Sequence, residues 1–119
     1  REAGLATEDI DFISAHGTAT LYNDEMEAKA IHLAGLSHVP VNSLKAYYGH
    51  TLGAAGLVES VIAVHSLQKE LILSSLGFNT SGVTQPLNIC TKLQPATVNN
   101  CLKTASGFGG CNAALIFSK

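Results

Sequence analysis

Tryptophan is absent from this 119-residue chain, methionine occurs once, and only 13% of residues are charged. Charge this sparse leaves a lone small domain short of solvated side chains, so part of its surface is expected to lie against something else. Basic residues are few as well. Seven Lys and Arg against nine Asp and Glu give a net charge of −2, which excludes the basic footprint of a nucleic-acid binder. No CxxC pair occurs among Cys90, Cys101 and Cys111, and no signal peptide is evident. Reduced thiols in the cytoplasm and no metal site are therefore expected. Nor is there a run that could span a membrane. The most apolar stretch, Leu52 to Leu73, is interrupted by Glu59, His65, Gln68, Lys69 and Glu70, as in a core helix. The sequon Asn79-Thr80-Ser81 is then a chance match.

What is present suffices for one compact unit over residues 1–119, with 46% of residues hydrophobic. "REAGL" at the start reads as the last turn of a helix, with Gly4 as its left-handed cap. A helix cannot consist of its terminal turn alone, so the chain is expected to be part of a longer one. "DIDFISAHG", Asp9 to Gly17, is a short strand opening into a loop. A helix over Glu25 to Leu36 follows, capped at Asn23 or Asp24 and stopped at Gly35. "VPVNS" is a second strand, and Thr51 to Ile72 a longer helix. Its Gly53, Ala54, Ala55 and Gly56 cost helix propensity and are expected to admit another backbone. Leu71 to Pro95 reads as a long connection. Two strands near Thr97–Thr104 and Asn112–Phe117 close the chain, joined by the turn Ser106 to Asn112. The order strand, helix, strand, helix, strand, strand predicts an α/β fold with a mixed sheet whose last pair is antiparallel.

Three turns rich in polar residues and glycine lie at strand ends or helix starts, where α/β sheets form their ligand crevices. They are "SAHGTAT", "KAYYGHTLGAAG" and "SGFGG". Singly, His16 would be an ordinary loop histidine, Lys45 a solvated surface lysine and Phe108 the anchor of a turn. In series they resemble the carboxy-terminal half of the β-ketoacyl-acyl-carrier-protein synthases, decarboxylating condensing enzymes of fatty-acid and polyketide synthesis. The resemblance is carried by Ala15-His16-Gly17-Thr18-Ala19-Thr20, by Lys45 with Gly49-His50 and Gly53-Ala54-Ala55-Gly56, and by Gly107-Phe108-Gly109-Gly110 with Asn112. Two histidines mark the elongating, His-His type. Ser106 and the stretch "LSSLGFN" depart from the usual pattern.

The resemblance implies a thiolase-like fold and a decarboxylating condensation. It assigns His16 and His50 as donors to the enolate oxygen, with Lys45 as the cation that keeps the ring neutral. Glu59 would pair with Lys45 in a polar network around the second histidine. A carboxylate two turns into an apolar helix must be paired or neutral; otherwise it would have to be partly exposed. Thr18 and Thr20 would bond the amides of a phosphopantetheine arm, or else serve as turn and cap residues. Gly109 would lie at the substrate, and Phe108 would gate the acyl pocket. Expected partners are acyl-carrier protein, an amino-terminal half bearing the nucleophilic cysteine, and a second copy in a homodimer. No cofactor beyond the carrier's phosphopantetheine is implied. Cys90, Cys101 and Cys111 lack the setting of a nucleophile. The alternative is a non-catalytic chain-length subunit paired with an active synthase, against which the retention of His16, Lys45 and His50 argues.

Overall fold

Alternation in "FIS" decides which side chains go to which face of the sheet. The computed structural model describes residues 2–119, and β1 (Phe12–Ser14) is buried throughout. Ile13 and Ala15 pack with Ile31, Leu36, Val39 and Val41 on one face, whereas Phe12 packs with Ala63, Leu67, Ile72, Val98 and Cys101 on the other. Helix α1 (Leu21–Leu33) contributes Ile31 to the first cluster. Helix α3 (Ala55–Lys69) contributes Ala63 and Leu67 to the second. The sheet is thus sandwiched between two helices, and each large apolar side chain withdrawn from water contributes about 1.5–3 kcal/mol.

The strands run β4 (Asn88–Ile89), β2 (Pro40–Asn42), β1, β6 (Asn100–Gly107), β7 (Cys111–Ser118) across the sheet. The first three junctions are parallel, and β6–β7 is an antiparallel hairpin. This is the mixed α/β sheet that the order of elements predicts. Register matters to the site: Ser14 lies opposite Asn42 on one side and Lys103 on the other. A row of buried polar residues therefore crosses the sheet beneath α3.

Several boundaries differ from the sequence expectation. α1 starts at Leu21, and neither Asn23 nor Asp24 caps it; Thr20 holds the cap position without a side-chain cap bond. Asp24 instead accepts the Thr18 N–H at 3.0 Å, so the carboxylate serves the preceding loop. Gly4 and Gly35 are left-handed as expected (φ +69° and +75°). The expected helix from Thr51 is split into a 3-10 turn, Leu52–Ala54, and α3, which ends at Lys69 with Glu70 in the left-handed region. A short helix, α2 (Lys45–Tyr48), precedes them. The small-residue stretch does not admit a second backbone among the described residues. A Cβ on Gly56 would meet only the Ala105 Cβ at 3.7 Å, and one on Gly53 nothing. The connection after α3 carries two further strands, β3 (Leu71–Ile72) and β5 (Gln94–Pro95), paired antiparallel, besides β4. Their two-residue lengths leave no alternation to read. The expected apolar surface is present: Leu57, Val61 and Val64 of α3 are exposed.

Candidate active site

The site forms where β1 and β2 end. His16 leaves β1 into a loop that Gly17 allows to turn back with φ +44°. A Cβ at Gly17 would lie 2.6 Å from Ser43, whose hydroxyl donates to the Gly17 carbonyl at 2.7 Å. Only glycine fits there. Glu27 reaches back from α1 and accepts the backbone N–H groups of His16 and Gly17, each at 2.8 Å. Its Oε1 also accepts the Thr104 hydroxyl from β6. One buried carboxylate thereby ties the loop to helix and sheet.

Lys45 opens α2 and is buried beneath this loop. Its Nζ donates to the His16 carbonyl, stands 3.2 Å from His16 Nδ1 and lies 2.6 Å from Glu59 Oε1. An ammonium has no lone pair to offer, so Nδ1 must accept and the imidazole proton resides on Nε2. His50 reaches the same state by another route. Leu52, at φ +51°, turns its N–H onto His50 Nδ1 at 3.0 Å, which again leaves Nε2–H as the free donor. Ala19, at φ +56°, is the corresponding left-handed non-glycine residue in the first loop. Such backbone is rare outside glycine and collects at functional turns. The two imidazoles meet edge to face, centroids 5.2 Å apart and planes at 81°.

Glu59 is fully buried at 0% exposure and its second oxygen lies 2.8 Å from Lys103 Nζ. The predicted Lys45–Glu59 pair is therefore present, but its place needs correction: it supports His16, not the second histidine. The resemblance implied His50, whereas the helical turn at Lys45–Tyr48 sends the lysine under β1. Burial first, and then the Lys45 charge, lower the pKa of His16, with Lys103 adding to them and Glu27 and Glu59 opposing. The unfolded chain then binds the extra proton below the ordinary histidine value of ~6.5, and stability rises with pH across that window. Urea unfolding of the full-length protein at pH 7.5 and 5.5 should show lower stability at the acid value. His16→Gln should reduce that difference.

A cavity of about 900 Å³ opens beside the site, lined among others by Thr18, Thr20, Lys45, His50, Ile31 and Phe78. The Thr18 and Thr20 hydroxyls bond each other at 2.7 Å, so the pair keeps spare donor and acceptor capacity at this wall. Phe108 and Gly109 are not brought here. They sit at the tip of the β6–β7 hairpin, exposed and outside the cavity lining. Glu27 and Lys103 were missed from sequence. Each left one trace, a charged residue on a buried stripe: Glu27 four before Ile31 in α1, Lys103 two after Cys101 in β6. Burial pushes the Cys90 thiol up to about 11 and the Cys101 thiol to about 12. Both are protonated core residues, and no cysteine lines the cavity. Among the described residues no helix is long and apolar enough to cross a membrane.

A mixed sheet between two helices thus carries a histidine pair at its strand ends over a buried ionic cluster. Residues 1–79 match the family described as β-ketoacyl synthase, C-terminal domain, and the chain belongs to that family. It is 36% identical to a putative mitochondrial 3-oxoacyl-[acyl-carrier-protein] synthase of Schizosaccharomyces pombe, over 100% of this chain and 30% of that protein. It is 34% identical to a polyketide-biosynthesis malonyl-ACP decarboxylase of Bacillus subtilis, over 95% of this chain and 27% of the other. The fold matches the crystal structure of a β-ketoacyl synthase from Burkholderia phymatum with a TM-score of 0.94 at 28% identity, covering 99% of this chain and 29% of that one. The thiolase-like fold follows. The chain spans about 30% of the length of the curated relative from Schizosaccharomyces pombe.

Proposed function

We propose that this chain supplies the decarboxylation half of an elongating β-ketoacyl-acyl-carrier-protein synthase. The observation that carries the proposal is the pair of imidazoles whose Nδ1 atoms are both occupied as acceptors, by Lys45 and by the Leu52 N–H. Each ring is left with one N–H to donate. In the reaction the malonyl carbon–carbon bond breaks, carbon dioxide leaves, and the electron pair passes to the thioester as an enolate. His16 and His50 meet the charge developing on its oxygen without proton transfer. The enolate carbon then attacks an acyl thioester, forming the new bond as the acyl group's thiolate carrier departs. Thr18 and Thr20 bond the amides of the phosphopantetheine arm, and acyl-carrier protein delivers it.

The acyl group is carried by a cysteine outside this chain, since Cys90 and Cys101 are protonated in the core and Cys111 lies exposed on β7. The isolated chain is accordingly expected to condense no acyl and malonyl thioesters, while the full-length protein does. Formation of β-ketoacyl product by the isolated chain would overturn this division of labour. The exposed Leu57, Val61 and Val64 face of α3 fits a chain that is covered by the rest of its protein.

A further inference from the structure

Two lysines share one carboxylate under His16, and the reaction as proposed uses only one of them. Lys103 is 2% exposed and projects from β6 beneath α3. Its ammonium lies 2.8 Å from Glu59 Oε2 as an ion pair and donates to the Ser14 carbonyl at 3.2 Å and to the Thr104 carbonyl. The carboxylate charge opposes the burial that, with the Lys45 charge, lowers the lysine's pKa. Lys45 is satisfied in the same way by Glu59 Oε1, the His16 carbonyl and His16 Nδ1. Glu59 is therefore a bridge between two cations, one touching the histidine and one not.

The charged groups facing His16 come from every element packed on it: Glu27 from α1, Lys45 from α2, Glu59 from α3 and Lys103 from β6, with the His50 ring at its edge. The first four are the buried acids and lysines among the described residues. Two positive charges oppose two negative ones, and the balance closes only if the imidazole is uncharged. A protonated His16 would also set an Nδ1–H against the Lys45 ammonium. Without Lys103 the cluster carries a net negative charge, and a proton on His16 would neutralise it.

We propose that Lys103 is a positioning residue for His16: by holding the second oxygen of Glu59 it completes a neutral buried cluster that keeps the imidazole uncharged and its Nδ1 bonded to Lys45. The inference rests on the reading of His16 as an enolate donor. Its primary test does not depend on activity.

Histidine ring signals of the full-length protein, labelled on histidine and assigned with His16→Asn, would be followed by NMR against pH. Lys103→Met should raise the His16 titration midpoint by about one pH unit or more, and Lys103→Arg should restore it. Glu59→Gln, which removes negative charge instead, should move the midpoint the other way and serves if Lys103→Met does not fold. In carbon dioxide release from malonyl-carrier protein, the acid limb for Lys103→Met should move to higher pH, with the plateau rate approached at alkaline pH. A His16 midpoint that stays in place in these folded variants overturns the role of Lys103. Wild-type protein that releases no carbon dioxide, with the midpoints moving as stated, overturns the proposed reaction and leaves the electrostatic role standing.

Discussion

Glu59→Ala destabilises the full-length protein by about 3–5 kcal/mol, the cost of leaving buried charge without its partner. The side chain is fully buried and holds Lys45 at 2.6 Å and Lys103 at 2.8 Å. Alanine leaves two buried ammonium groups without their carboxylate. Domains of this kind have only about 5–15 kcal/mol of net stability, so the variant should unfold at much lower denaturant. A loss below about 1 kcal/mol would mean the cluster is solvated and the buried bridge does not exist. Removing the bridge and both of its cations, with Lys45→Met, Glu59→Leu and Lys103→Met together, should recover much of that loss. Buried ion pairs are commonly no better than well-packed apolar residues. A triple variant that folds but does not decarboxylate would show that these charges are kept for chemistry.

His50→Ala is the second large effect, and it falls on rate. His50 is exposed beside the cavity, and its one bond among the described residues is from the Leu52 N–H at 3.0 Å. Truncation should therefore change stability by less than about 0.5 kcal/mol, as for surface positions. The loss of one fixed donor to a developing oxyanion is worth about a hundred- to thousand-fold in rate. Malonyl decarboxylation by the full-length protein should fall by that factor. Acyl transfer to the enzyme, which forms no malonyl enolate, should be much less affected. Stopped assays of the two half-reactions on the same preparation separate them.

The parts of this site legible in the sequence are those written within one segment. His16 and His50 stand in contiguous glycine-rich motifs, and Glu59 betrays itself as a carboxylate inside an apolar helix. The succession of the main strands and helices and the antiparallel last pair were legible for the same reason, since a hairpin and a strand–helix–strand unit are local. Glu27 and Lys103 were not, because their meaning depends on what lies across the sheet. Nothing near Lys103 in sequence reveals that Ser14 sits opposite it or that α3 places Glu59 above it. The misplacement of Lys45 has the same origin. Five residues separate it from His50, yet it bonds His16, twenty-nine residues away. The helix start at Leu21 was hidden because Asp24 is drawn off to the Thr18 N–H. Phe108 and Gly109 stand apart from the histidines at the hairpin tip, so their roles as gate and substrate contact rest on the motif alone.

If both imidazoles serve one enolate oxygen, they act as a unit and their losses do not add. The direct measurement is carbon dioxide release from malonyl-carrier protein by the full-length protein, compared among wild type, His16→Ala, His50→Ala and the double variant. A common depressed rate, with the double variant within about tenfold of the slower single one, is the predicted result. A double variant that releases carbon dioxide as fast as the wild type would contradict the assignment of this histidine pair.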